Sequence, residues 1–76
     1  MKNLNMTENR QALLEAVAVG LNTATLIARG LDRPRSSVYQ NLRTLAKYGY
    51  LLEEWSRETV RFKITTKGYQ ALEEVR

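Results

Sequence analysis

The chain has 76 residues, room for one domain around one small hydrophobic core. It carries 12 Lys+Arg against 8 Asp+Glu, a formal charge of +4, and has no Cys and no His. That composition argues against a zinc finger, thiol or imidazole catalysis and a disulfide scaffold, and no apolar run approaches the ~20 residues of a membrane span.

Thr7 followed by Glu8 predicts an N-cap with a carboxylate in the first turn, where it favours the helix dipole. The helix formers NRQALLEAVAV run from there to Gly20, a C-terminal left-handed position, with Leu13, Leu14, Val17, Ala18 and Leu21 as the buried stripe. Asn22 or Thr23 caps a short second helix near 24–29, with Leu26 and Ile27 inward and Gly30 at its end. Leu31-Asp32-Arg33 then turns into a third helix. Pro34 suits the first turn because it gives up an N–H that would be unpaired there, and Asp32 or Arg33 is the expected cap. This helix reaches about Tyr48, Gly49 stops it, and Val38, Leu42 and Leu45 form its inward stripe with Ala46 beside them.

After Gly49 the hydrophobic period changes from 3.6 to 2. Val60, Phe62 and Ile64 alternate with Arg61, Lys63 and Thr65, the pattern of a half-buried strand. The segment 50–55 pairs with it across Ser56-Arg57-Glu58-Thr59. In the register that follows, Trp55 faces Val60, Glu53 faces Phe62 and Leu51 faces Ile64, while Glu54 faces Arg61 and Leu52 faces Lys63. Trp55, Val60, Leu51 and Ile64 then share one face, with Glu53 as its misfit. The link has no glycine, so a four-residue loop fits better than a two-residue I′ turn. Thr65 or Thr66 caps a last helix running to the C-terminus, with Leu72, Val75 and Tyr69 as its inward candidates. The order is helix, helix, helix, hairpin, helix, an α+β chain forming a single domain over residues 1–76.

The charge is uneven. Residues 31–49 hold Arg33, Arg35, Arg43 and Lys47 against Asp32 alone, whereas residues 1–30 balance at +1 and residues 50–76 at zero. Most of the excess therefore sits on the third helix and its approach, a footprint for a polyanion. The outward face of that helix carries Ser36, Ser37, Gln40, Arg43, Thr44 and Lys47 without one carboxylate. Two short helices joined by a tight turn, the second offering small polar and basic side chains, follow the logic of a helix-turn-helix. A major groove ~12 Å wide admits one helix; short serines let its backbone approach, and Gln and Arg bond base edges bidentately.

The segment PRSSVYQNLRTLAKYGYL resembles the recognition-helix segment of winged helix-turn-helix transcriptional regulators. FKITTKGYQALEEV is similar to the strand-then-helix ending of the multiple-antibiotic-resistance (MarR) and PadR-like regulators. The resemblance covers residues 24–76. It implies a winged helix-turn-helix with residues 34–48 as recognition helix, Ser36, Ser37, Gln40 and Arg43 facing the groove, Tyr39 a phosphate or packing contact, and Arg57 at the wing tip. Arg33, Arg35, Thr44 and Lys47 complete the expected phosphate contacts. The link is short and carries Glu58 beside its one Arg, so the 56–59 tip is expected on the adjacent backbone. The extra helices with which those regulators dimerise and bind ligand are not expected here, so no small-molecule effector is inferred.

Other residues read more simply. Arg61 is expected to pair with Glu54, Trp55 to join the core, and Tyr48 and Tyr50 to cover the corner around Gly49. Adjacent Glu53/Glu54 and Glu73/Glu74 point apart and make a poor metal or acid–base site. The leading expectation is a cytoplasmic, nucleoid-associated regulator that binds double-stranded DNA, with no enzymatic activity, no cofactor and no membrane attachment. The alternative is a winged-helix module that binds protein; single-stranded nucleic acid ranks third, because stacking needs exposed aromatics. A homodimer on a two-fold site is compatible with the chain, and residues 1–13 and 66–76 are equal candidates for its contact.

Overall fold

The hydroxyl of Thr7 accepts the N–H of Arg10, satisfying one of the unpaired donors at the start of α1 (Glu8–Ala18). The structure, a computed structural model, describes residues 3–75. Leu13, Leu14, Ala16 and Val17 bury the inner side of α1, which touches the other three helices and the second strand of the hairpin and so forms the centre of the domain. Thr23 caps α2 (Ala24–Leu31) through the N–H of Leu26, and Ala24, Ile27 and Ala28 face the core. Leu26, expected inward, lies exposed, because the buried side is set by residues 24, 27 and 28.

The first three helices end by one device. The N–H of Leu21 bonds the carbonyl of Ala16 while that of Gly20 bonds Val17; Arg33 bonds Ala28 while Asp32 bonds Arg29; Tyr50 bonds Leu45 while Gly49 bonds Ala46. These are three Schellman endings, each with a left-handed residue at its pivot: Gly20 (φ 107°), Asp32 (φ 53°) and Gly49 (φ 87°). Gly30 therefore does not end α2. It stays helical, and a Cβ there would lie 3.2 Å from the side chain of Leu21. With Asp32 committed to terminating α2, neither it nor Arg33 caps α3. Pro34 (φ −60°, ψ 134°) occupies the N-cap itself without a side-chain bond, and α3 spans Arg35–Lys47 with Val38, Leu42 and Leu45 buried.

Strands β1 (Leu51–Ser56) and β2 (Thr59–Ile64) pair antiparallel in the expected register, Leu51 opposite Ile64 through Trp55 opposite Val60. Ser56 also pairs with Thr59, so the link is a two-residue turn, Arg57-Glu58, and not a four-residue loop. Arg57 takes φ 56°, and Glu58 does not share the positive φ. A positive φ at the first central position alone belongs to the II′ type, so the lack of glycine did not forbid a tight turn. Ion pairing in the sheet runs diagonally, Glu54 to Lys63 at 3.4 Å, rather than directly to Arg61. The carbonyl of Asn22 accepts the N–H of Phe62 at 2.8 Å, fixing the loop before α2 against β2.

Thr65 caps α4 (Thr66–Glu74) through the N–H of Gly68. Gly68, Ala71 and Leu72 form its buried side, whereas Tyr69 and Val75 are exposed: Tyr69 sits one residue round from Gly68, and Val75 is the C-cap beyond the core. Arg76, where the expected helix would have ended, lies outside the described residues. The corner after α3 is held from α4. Lys67 Nζ donates to the carbonyl of Tyr48 at 2.7 Å and lies 4.4 Å from the ring centre of Tyr50, and the Thr65 hydroxyl lies 2.6 Å from the carbonyl of Gly49. Tyr50 is buried and Tyr48 packs on the core, as expected of residues covering this corner.

Leu13, Leu14, Ile27, Val38, Leu42, Leu45 and Phe62 are the largest fully buried side chains, each contributing roughly 1.5–3 kcal/mol by leaving water. Among the described residues no polar or charged side chain is buried, and no helix is long and apolar enough to cross a membrane. Trp55, expected in the core, is 55% exposed. Burial fades along β1 after Leu51, because the hairpin projects past the helices it packs on.

Candidate nucleic-acid interface

The inward stripe of α3 dictates its outer side. With Val38, Leu42 and Leu45 buried, Ser36, Ser37, Gln40, Arg43 and Lys47 are exposed and Thr44 is half-buried at the edge. Ser36 and Ser37 stand in the first turn, where no side chain caps the helix and the first backbone N–H groups point outward. The hydroxyl of Thr44 bonds the carbonyl of Gln40 at 3.1 Å, within its own helix, and the Asn41 amide does the same to Ser37 at 2.9 Å.

The basic residues divide into anchored and unanchored groups. Arg35 Nε donates to the Thr25 hydroxyl on α2 at 3.0 Å, and its guanidinium lies 5.8 Å from the ring centre of Tyr39. Arg33 turns toward α1, where Nη1 bonds the Asn9 side-chain oxygen. Lys47 borders an open groove of about 530 Å3 between α3 and β1, lined also by Arg43, Thr44, Leu51, Leu52 and Glu53. Arg57 projects from the turn of the hairpin.

Arg43 is the most constrained of the set. Its Nε lies 2.5 Å from Glu53 Oε2, and Nη1 donates to the Tyr39 hydroxyl at 3.0 Å. Its guanidinium carbon lies 5.8 Å from the centre of the Tyr39 ring and 5.9 Å from that of Trp55, in reach of both faces for a cation–π contact. The Tyr39 hydrogen bond first, and the Glu53 carboxylate second, raise the Arg43 pKa above the ordinary arginine value. The indole N–H of Trp55 donates to Glu53 Oε1 at 3.0 Å, so the two carboxylate oxygens have separate partners.

This cluster corrects two expectations. The outer face of α3 has no carboxylate of its own, but the hairpin brings Glu53 to its edge. Trp55, expected inside, belongs to the same surface. Glu53, Trp55 and Thr25 were not among the expected site residues. The one signal for them in the sequence was Glu53 itself, a charge in the apolar register of β1 that needs a cation opposite.

A family model described as the IclR helix-turn-helix domain matches residues 12–54, more than half of the chain. No curated protein matches the sequence. Among solved structures the fold is similar to that of Lactococcus lactis ZitR, described as a zinc-responsive MarR family member. The TM-score is 0.80 at 19% identity, over 97% of this chain and 54% of that one. A cysteine-to-serine variant of ZitR aligns with a TM-score of 0.81 at 18% identity, over 99% of this chain and 53% of that one. The AntR antimony-specific transcriptional repressor aligns at 0.76 and 20% identity, over 91% of this chain and 63% of that one. The chain thus spans about half the length of the ZitR chains it matches. At these identities the likeness establishes a winged-helix fold.

Proposed function

Because the chain belongs to the IclR helix-turn-helix domain family, we propose that it is a transcriptional regulator's DNA-binding domain, one domain over residues 1–76, whose α3 enters the major groove of double-stranded DNA. The observation that carries this reading is the outer side of α3: exposed Ser36, Ser37 and Gln40 on a helix with no carboxylate, flanked by Arg35, Arg43 and Lys47. Ser36, Ser37, Gln40 and Arg43 are the base-reading set. Arg33, Arg35, Tyr39, Thr44, Lys47 and Arg57 are the phosphate set, with the Arg57 tip on the backbone beside the groove. One inserted helix spans few base pairs, so two copies on a two-fold site supply the affinity a single copy lacks. No catalytic role and no effector are proposed.

The test is selection of binding sites from a random duplex pool, followed by titration of the selected duplex against salt, with sedimentation in parallel. Binding that weakens by orders of magnitude between 50 and 200 mM salt is expected of several phosphate contacts. Affinity indifferent to salt would defeat the reading. The exposed Leu52 and Trp55 favour a second reading, a protein-binding winged helix; it gains if no duplex is selected while a partner protein is retained.

A further inference from the structure

Arg43 reaches out from α3 on a long, flexible stem, and such a side chain ordinarily loses much rotamer freedom when it grips a base. Here the hairpin has already restricted it. Glu53 Oε2 holds Nε at 2.5 Å, the Tyr39 hydroxyl holds Nη1 at 3.0 Å, and the Glu53 carboxylate is itself held by the Trp55 indole at 3.0 Å. The Glu53 side chain is 21% exposed and that of Arg43 48%, so the acceptor is sheltered while the guanidinium still meets solvent. Among the described residues nothing bonds Nη2. Nη2 is thus left to donate, and beside it the Nη1 amino group completes a pair of parallel donors of the kind that matches the O6 and N7 acceptors of guanine, once the Tyr39 hydroxyl takes the Nη1 proton on the Cδ side.

We propose that Glu53 is a positioning residue for base reading: held by Trp55, it fixes the Arg43 guanidinium so that its Nη1/Nη2 edge addresses one guanine in the major groove. The inference rests on the DNA-reading role proposed above for α3. Glu53 acts twice. It lowers the freedom Arg43 must give up on binding, and it offsets the guanidinium charge, so that undirected attraction to phosphate weakens while directed donation to a base is kept. Specificity at one G·C pair then depends on a carboxylate outside the recognition helix.

The experiment uses the full chain and the duplex it selects, with a panel in which each G·C pair is replaced in turn. Wild type, Glu53→Ala, Glu53→Gln, Arg43→Ala and the Arg43→Ala/Glu53→Ala double variant are titrated at one salt concentration, with thermal melts confirming that each is folded. Glu53→Ala is expected to reduce discrimination at one G·C position about tenfold, as loss of a good bidentate pair would, while binding to an unrelated duplex holds or strengthens. Glu53→Gln, which keeps a carbonyl oxygen for Arg43, should restore a large part of that discrimination. In the Arg43→Ala background, loss of Glu53 should change discrimination no further. Undiminished discrimination in Glu53→Ala, or equal strengthening on every duplex, would overturn the proposal by reducing Glu53 to a repulsive charge. A wild-type chain that selects no duplex defeats the DNA-reading premise instead, and the two failures are told apart by the wild-type arm.

Discussion

Arg57 is a long side chain in a backbone conformation that favours glycine. Its φ of 56° places it in the left-handed region, which costs an L-residue with a Cβ roughly 1–2 kcal/mol. Nothing in the packing demands arginine at this exposed turn. Arg57→Gly should therefore raise the stability to thermal unfolding by about 1 kcal/mol. The same variant should weaken DNA binding, with the slope of log affinity against log salt shallower by about 0.9. An unchanged slope would remove Arg57 from the phosphate set. Arg43 and Lys47 should differ in kind: Lys47→Ala should weaken every duplex about equally, while Arg43→Ala should relax base preference. Binding to matched and mismatched duplexes separates the two.

Among the elements, the joints matter as much as the helices. The link from α2 to α3 is only Asp32, Arg33 and Pro34, and the left-handed Asp32 is what lets α2 stop and α3 leave at once. The exit of α3 is fixed from the other side by α4, through Lys67 and Thr65 on the Tyr48–Tyr50 corner. That grip needs close approach at Gly68, where an added Cβ would lie 2.4 Å from the Tyr50 carbonyl and 2.6 Å from Ile64 Cγ1. Backbone cannot yield as a side-chain tip would. Gly68→Ala should thus destabilise the domain by about 1–3 kcal/mol, seen as a lower melting temperature. At a temperature where the variant stays folded its DNA affinity should match wild type, because the atoms nearest Gly68 belong to Tyr50 and Ile64 and not to the outer face of α3.

The +4 charge attracts a polyanion from any side, and the winged-helix scaffold gives that attraction a direction. The four cations of the proposed phosphate set, Arg33, Arg35, Lys47 and Arg57, predict a salt slope of about −3.6 for a single copy and twice that for a pair. Measuring the slope beside the sedimenting mass tests contact number and stoichiometry together. A steep slope with a monomer mass would mean that the phosphate set is larger than the six residues named.

Local chemistry made much of the fold legible. Thr7, Thr23 and Thr65 cap helices because their hydroxyls reach a backbone N–H three residues on, and Gly20 and Gly49 end helices because they adopt positive φ freely; both are matters of a few consecutive residues. The strand register followed equally well, since a slip by one residue would have turned Leu51 and Phe62 out of the core. Where two local rules competed for one residue, the sequence was ambiguous: Asp32 could cap α3 or end α2, and only the completed turn decided it. Trp55 and Glu53 lay beyond any local rule. Whether a strand position is buried depends on how far the hairpin overhangs the helices, and whether a helix face carries negative charge depends on what the next element brings beside it. Sequence thus determined the elements, their order and the basic character of α3, which are set within a few turns of chain. The pairing of Arg43 with Glu53 was decided only in three dimensions, because it joins a helix to a strand across a corner whose angle is set by packing.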